Sequence, residues 1–140
     1  PFDGYGLGGE FGADKQKMNE MIGWVNKILP EEKPRHLLGI GYLEDLPKII
    51  KAGVDLFDCT VPTHYARHNI AFTSSGKLDL ARSKFLNELK PLDPACGCLV
   101  CAHYTRSYIS HLVKAKEITA LKLLTFHNLY FFNSYVERLR

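Results

Sequence analysis

Long hydrophobic runs are missing from this sequence, in which no stretch approaches the roughly 18 consecutive apolar residues of a transmembrane helix. Its first residues carry no signal-peptide pattern, and it has no internal repeat and no low-complexity segment. We therefore expect a soluble cytoplasmic protein with no membrane partner. Apolar residues make up 46% and charged residues 24% of the chain, which is typical of a folded domain and argues against disorder.

A strong excess of charge is also absent, because the 140 residues carry a formal net charge of only +3. This mildly basic balance favours a nucleic-acid partner only weakly, since many soluble domains have it for no functional reason. The length is sufficient for one domain with a buried core.

Cysteine is scarce, and three of the four cysteines fall within one run of six residues: Cys96, Cys98 and Cys101. Such crowding does not suit the disulfide framework of a secreted protein, whereas three thiolates and one imidazole complete the tetrahedral ligand set of a structural zinc. We predict His127 as the fourth ligand, on a helix that folds back over the cysteine loop. His103 is poorly placed in the same turn as Cys101, and His111 is the other candidate. The alternative is three core cysteines beside an unrelated histidine.

The periodicity of the first half predicts a βαβ unit with parallel strands. Apolar spacing indicates a helix from Asp14 that ends at Pro30, and residues 36–41 read as a short strand. Residues 43–52 read as a helix that ends at Gly53, and residues 54–59 as the second strand.

The second half reads differently. We predict a loop over 60–69, a β-hairpin over 70–80, a proline- and glycine-rich loop around the cysteines, and helices over 104–114 and 117–140. The glycine-rich stretch 4–12 reads as a flexible loop, which either lets a planar ligand approach bare backbone or only makes a tight turn.

Asp58 is the first candidate for chemistry, because it lies at the carboxyl end of a predicted parallel strand, where barrel enzymes gather their catalytic residues. A carboxylate there can act as nucleophile, general base or metal ligand, or it can be a solvated strand-end residue. Arg67 could bind a phosphate or simply be solvated. Cys59, beside Asp58, reads as a small residue packed in a strand.

The sequence resembles the C-terminal part of the tRNA-guanine transglycosylases, the queuine or archaeosine tRNA-ribosyltransferase family, with the bacterial type fitting better. The resemblance runs over nearly the whole chain. Its marks are Leu-Gly-Ile-Gly at 38–41, Asp-Leu-Phe-Asp-Cys-Thr-Val-Pro-Thr at 55–63, Pro-Leu-Asp-Pro at 91–94, the Cys-x-Cys-x-x-Cys run, Thr-Arg-Ser-Tyr at 105–108 and His-Asn at 127–128.

This resemblance implies the C-terminal part of a (β/α)8 barrel, an α/β fold, with a zinc-binding insertion and terminal helices. Residues 1–69 would be the last strands and helices of the barrel, and residues 70–140 the hairpin, the zinc-binding subdomain and the C-terminal helices. The implied activity is a pentosyltransferase reaction, in which guanine at the wobble position of a tRNA anticodon is exchanged for a 7-deazaguanine, preQ1 or queuine.

By the same resemblance, Asp58 is the nucleophile that forms a covalent ribosyl ester. Gly8 and Gly9 lie beside the bound base and Leu38 stacks against it. Arg67 is the second arginine of a Pro-Thr-Arg-x-x-Arg segment that grips the anticodon backbone. The implied partners are the tRNA anticodon arm, the 7-deazaguanine base, and a second copy or a paired subunit.

The sequence departs from the family pattern in two respects. His64 stands where the first arginine of that segment is expected, so the grip on phosphate should be weaker or dependent on pH. A (β/α)8 barrel also needs about 250 residues, so the general acid/base aspartate would lie outside this sequence and the 140 residues alone should be inactive and self-associating. The alternative function is a non-catalytic tRNA-binding or scaffold subunit of the same family.

Overall fold

The fold is described from a computed structural model, in which residues 2–8 and 14–140 are described. The chain forms two compact units: residues 1–60 with Leu139–Arg140, and Val61–Arg138. The predicted division at residue 69, between barrel and appendage, is a functional boundary and stays a prediction. Among the described residues, none of the helices combines the length and the apolar character that a membrane span requires.

The first unit is a parallel sheet with two helices. Its elements are β1 (Tyr5–Leu7), α1 (Lys15–Ile28), β2 (Arg35–Leu37), α2 (Leu46–Lys51) and β3 (Leu56–Phe57). The strand order is β1-β2-β3, and both pairings are parallel, which confirms the predicted βαβ unit. The strands are shorter than predicted. The prediction of a flexible glycine-rich loop over residues 4–12 was partly wrong, because Tyr5–Leu7 forms a strand that pairs with β2.

Local signals explain where the two helices begin and end. The Asp14 side chain accepts hydrogen bonds from the backbone N–H groups of Gln16 and Lys17, which is a helix N-cap. After α2, Gly53 has a φ of +91°, a left-handed conformation that ends helices and suits glycine. Both boundaries agree with the sequence prediction.

Only one face of the three strands packs against the helices. Leu7, Leu37 and Phe57 are in register, and they contact the core residues of α1, α2 and the turn after it: Met18, Ile22, Ile49 and Val54. The next residues in register on the other face are Gly6, His36 and Leu56, and Leu56 is 50% exposed. The sheet thus has a covered face and an open face.

The second unit contains the remaining elements: α3 (Val61–Arg67), β4 (Ile70–Thr73), β5 (Gly76–Asp79), a 3-10 helix (Ser83–Asn87), α4 (Leu99–His103), α5 (Arg106–Lys114) and α6 (Ile118–Leu139, whose last residue groups with the first unit). β4 and β5 form the predicted antiparallel hairpin. The core of this second unit contains Leu80, Phe85, Leu92, Val100 and Leu124.

Two sequence predictions for this unit were wrong. The segment expected to be a loop over 60–69 forms α3, because Pro62 lies in the first helical turn, where its missing N–H is not needed. The cysteine segment is only partly a loop, since Cys98 is the N-cap of α4 and Cys101 lies within that helix.

Candidate active site and metal centre

The carboxyl ends of the three parallel strands gather three of the residues singled out from the sequence. One row of residues paired across the strands is Gly6, His36 and Leu56. Two residues further along each strand come Gly8, Leu38 and Asp58. Because strand side chains alternate with a period of two, this spacing puts all three on the open face of the sheet. The backbone N–H of Leu38 donates to the Leu7 carbonyl at 2.8 Å, which continues the pairing of β1 and β2 to this level.

Gly8 and Leu38 are neighbours at this edge. A Cβ atom at position 8 would lie 3.0 Å from Leu38 Cδ1, so any larger residue would displace the leucine side chain. Leu38 is 47% exposed, although its neighbour Leu37 is completely buried. The two residues form a shallow apolar surface with bare backbone beside it. Gly9, the other predicted base-binding glycine, lies outside the described residues.

Asp58 follows the last residue of β3, and its side chain is 63% exposed. Its Oδ1 atom accepts a hydrogen bond from His36 Nε2 at 2.9 Å and a longer one from the backbone N–H of Gly39 at 3.4 Å. Both hydrogen bonds described for this carboxylate therefore use one oxygen. Such an exposed and oriented carboxylate can act as a nucleophile or as a base.

His36 is the residue that the sequence interpretation missed. Its contact with Asp58 joins residues 22 apart, so no local spacing reveals it. The signal that could have found it is the register: His36 lies two residues before Leu38, on the face that also carries Asp58.

The predicted tRNA-binding residues His64 and Arg67 both lie on α3, and both are exposed. The His64 ring packs against that of His68, with ring centroids 4.5 Å apart, while His68 Nδ1 contacts the His64 carbonyl at 2.9 Å. The helix and the residue that follows it thus expose two histidines and one arginine to solvent.

Cys96, Cys98, Cys101 and His127 come together in the second unit, with their ligand atoms within 4.8 Å of one another. His127 Nδ1 lies 3.4 Å from the sulfurs of Cys98 and Cys101 and 3.9 Å from that of Cys96. A tetrahedral zinc with bonds of about 2.3 Å to sulfur and about 2.0 Å to nitrogen would separate such atoms by roughly 3.6 Å. The donor set and its spacing therefore fit a metal ion of this kind.

The surroundings of His127 fix which ring nitrogen faces the sulfurs. His127 is completely buried, and its Nε2 donates to the Phe72 carbonyl at 2.7 Å, which leaves Nδ1 as the ligand atom. Burial lowers the pKa of His127, against the opposing effects of the Phe72 carbonyl and Asp93, so the neutral, ligating form is favoured. Burial raises the pKa of Cys96 and Cys101, so thiolates here need a cation to compensate them.

Two buried side chains, Asn128 and Asp93, make hydrogen bonds to the segments around this cluster. Asn128 accepts a hydrogen bond from Phe72 N–H at 3.0 Å and donates to the carbonyls of Pro62 and Ile70. Asp93 accepts from Ser74 and from Ala95 N–H, and these bonds hold its pKa below the usual value, although burial acts in the opposite direction. The sequence marked both residues as motif members without indicating these contacts.

Parallel strands with a carboxylate at their ends, together with a Cys3His cluster that could hold a metal ion, define the chain as a mixed α/β protein. The family model described as queuine tRNA-ribosyltransferase matches residues 1–140. The chain belongs to the queuine tRNA-ribosyltransferase family.

Curated relatives agree with this membership. A queuine tRNA-ribosyltransferase of Halothermothrix orenii is 47% identical over 140 residues, which are 99% of this chain and 38% of that protein. The proteins of the same name from Caldanaerobacter subterraneus and Thermodesulfovibrio yellowstonii are 45% and 40% identical, and each match covers 99% of this chain and 37% of the relative. The chain thus spans well under half the length of these relatives.

Proposed function

We propose that these residues are the C-terminal part of a tRNA-guanine transglycosylase, a pentosyltransferase that exchanges guanine for a 7-deazaguanine, preQ1 or queuine, at the tRNA wobble position. The observation that carries the proposal is the exposed Asp58 carboxylate at the carboxyl end of a parallel strand, oriented by two donors and adjacent to the surface of Gly8 and Leu38. In this reading Gly8, Gly9 and Leu38 contact the base.

The open face of the sheet supports a larger barrel. Purely parallel sheets occur almost only with both faces covered, yet Leu56 and Leu38 are about half exposed on the face without helices. Further strands that close a (β/α)8 barrel would bury this face and place Asp58 at the catalytic end. The relatives' greater length leaves room for such strands. In this assignment residues 1–69 belong to the barrel and residues 70–140 to its appendage.

The proposed reaction has two displacement steps. A lone pair of the Asp58 carboxylate forms a bond to C1′ of the ribose while the C1′–N9 bond breaks. The electron pair of the broken bond leaves with guanine, which takes up a proton. The incoming base then gives up its N9 proton and forms the new C1′–N9 bond as the ester bond breaks. Two inversions at C1′ retain its configuration, and the carboxylate is regenerated, as in a retaining glycosidase.

The remaining residues bind and hold. Arg67 and His64 on α3 are proposed to contact the anticodon backbone, where arginine can bind phosphate with two parallel hydrogen bonds. Cys96, Cys98, Cys101 and His127 would hold a structural zinc, whose closed ligand set supplies folding energy and no chemistry. We further propose that the full protein works in the cytoplasm, as a dimer or with a paired subunit.

The test is Asp58→Asn in the full-length protein that carries these residues. Because the amide is a far poorer nucleophile, guanine exchange into tRNA should fall by at least about 1000-fold, as expected for loss of a covalent nucleophile. Glu44→Gln is the control, since Glu44 is an exposed carboxylate that makes a long ion pair with Lys15. Undiminished exchange by Asp58→Asn would remove Asp58 as the nucleophile, whereas absence of exchange in the unsubstituted full-length protein would favour a non-catalytic tRNA-binding subunit.

A further inference from the structure

We propose that His36 is a positioning residue that selects which oxygen of Asp58 attacks the ribose. The proposal rests on the proposed function and adds to it a residue and an atom. His36 Nε2 lies 2.9 Å from Asp58 Oδ1, and the N–H of Gly39 lies 3.4 Å from the same oxygen.

The direction of the hydrogen bond follows from its acceptor. An ionised carboxylate offers only lone pairs, so His36 must carry a proton on Nε2 and donate it. With both donors on Oδ1, the lone pairs of Oδ2 are left to form the bond to C1′. The carboxylate is thereby turned so that one defined oxygen faces the open side of the sheet.

The placement of His36 suits a positioning role. The residue lies within β2, between the buried residues Arg35 and Leu37, so its backbone is fixed on both sides by the core. Its side chain is 40% exposed and projects from the open face, which also carries Leu38, two residues further along the chain. A donor on a paired strand holds its partner more tightly than a donor on a loop does.

The orientation matters for rate more than for binding. A nucleophile misplaced by about 1 Å can cost on the order of 100-fold in rate, while the tRNA contacts away from the ribose are unaffected. Loss of the His36 donor should therefore lower kcat and the rate of ester formation, and leave the KM for tRNA nearly unchanged.

Three substitutions in the full-length protein separate this role from simple packing. His36→Leu removes the donor, His36→Asn keeps an amide that is too short, and His36→Gln places an amide N–H near the position of Nε2. We expect kcat to fall by about 100-fold in the first two and to recover at least about tenfold in His36→Gln. The rate of covalent tRNA–protein complex formation, followed on denaturing gels in a single turnover, should change in parallel.

His111→Leu is the matched control, because His111 is an exposed histidine on α5 outside the Cys3His group. Wild-type kcat in His36→Leu, with Asp58→Asn inactive, would overturn this inference and leave the proposed function standing. Equal impairment of His36→Gln and His36→Leu would also overturn it, because the hydrogen bond would not be the cause. Full activity of Asp58→Asn would instead remove Asp58 as the nucleophile, and absence of exchange in the unsubstituted protein would remove the proposed function itself.

Discussion

Two pairs of polar side chains, one pair in each unit, differ in their burial and in their hydrogen bonds. In the second unit His127 and Asn128 are completely buried, and each makes hydrogen bonds to the backbone of β4. In the first unit His36 and Asp58 contact each other on an open face and remain substantially exposed. Buried and saturated polar groups stabilise one structure, whereas exposed and oriented groups are available to a ligand.

This contrast suggests that the two pairs have different roles in this chain. If the Cys3His cluster holds a zinc ion, no ligand position is left over, and its contribution would be to folding. The strand ends have an oriented carboxylate, one oxygen of which takes part in none of the hydrogen bonds described for this part of the chain, and this arrangement suits chemistry. Changes to the buried polar groups of the second unit should thus appear first as lost stability, and changes to the strand ends of the first unit as lost rate.

Loss of the metal should give the largest structural effect and the sharpest contrast. Cys98→Ser keeps an N-cap oxygen for α4 but removes a ligand, so the metal content should fall well below one equivalent. The unfolding free energy of the second unit should fall by more than about 3 kcal/mol, because structural zinc contributes on the order of 10 kcal/mol to folding. Metal analysis and thermal melting measure both, with Cys59→Ser, outside the cluster, as the control.

A bound metal in Cys98→Ser at full stoichiometry would contradict the ligand assignment. A wild-type melting temperature in the metal-free variant would show that the cluster does not contribute to stability. The contrast between the two units would then be lost.

A smaller effect is expected from Asn128→Leu. This substitution strands the N–H of Phe72 and the carbonyls of Pro62 and Ile70 without their partner, and each buried group left unpaired costs about 1–3 kcal/mol. We expect a loss of roughly 3 kcal/mol in urea unfolding. Asn133→Leu on the same helix is the control, because Asn133 is exposed. Similar losses in the two variants would show that the buried hydrogen bonds are not the cause.

The smallest effect concerns α3, where a surface residue should change binding without changing stability. His64→Arg restores the arginine that the family pattern expects and adds one fixed positive charge. The slope of log affinity against log salt for the tRNA anticodon arm should steepen by about 0.7–0.9, as expected for one added phosphate contact. Binding titrations at several salt concentrations measure this. An unchanged slope would place His64 outside the RNA interface.

Particular residues show how far the sequence could predict this structure. The start of a helix at Asp14, the stop at Gly53 and the hairpin over 70–80 were predicted from local patterns, and all three are confirmed. The cluster was predictable because three cysteines within six residues have few other uses, and the spacing of its ligand atoms bears this out.

The misses have physical reasons as well. β1 contains Gly6 and is flanked by Gly4 and Gly8, so its composition indicates a loop, and only pairing with β2 makes it a strand. The second residue of α3 is Pro62, and proline is also common in turns. The contact between His36 and Asp58 depends on strand register, which no local pattern contains.

Phe72 links the metal cluster to the hairpin through its backbone alone. Its N–H is bound by Asn128 and its carbonyl by His127, two consecutive residues of α6. His127 therefore also holds a residue of β4, and release of a bound ion would loosen both backbone groups of that residue together. We expect opening of β4 and loss of the ion to form one cooperative event, which would give the hairpin the local stability of the cluster and not that of an isolated two-stranded ribbon.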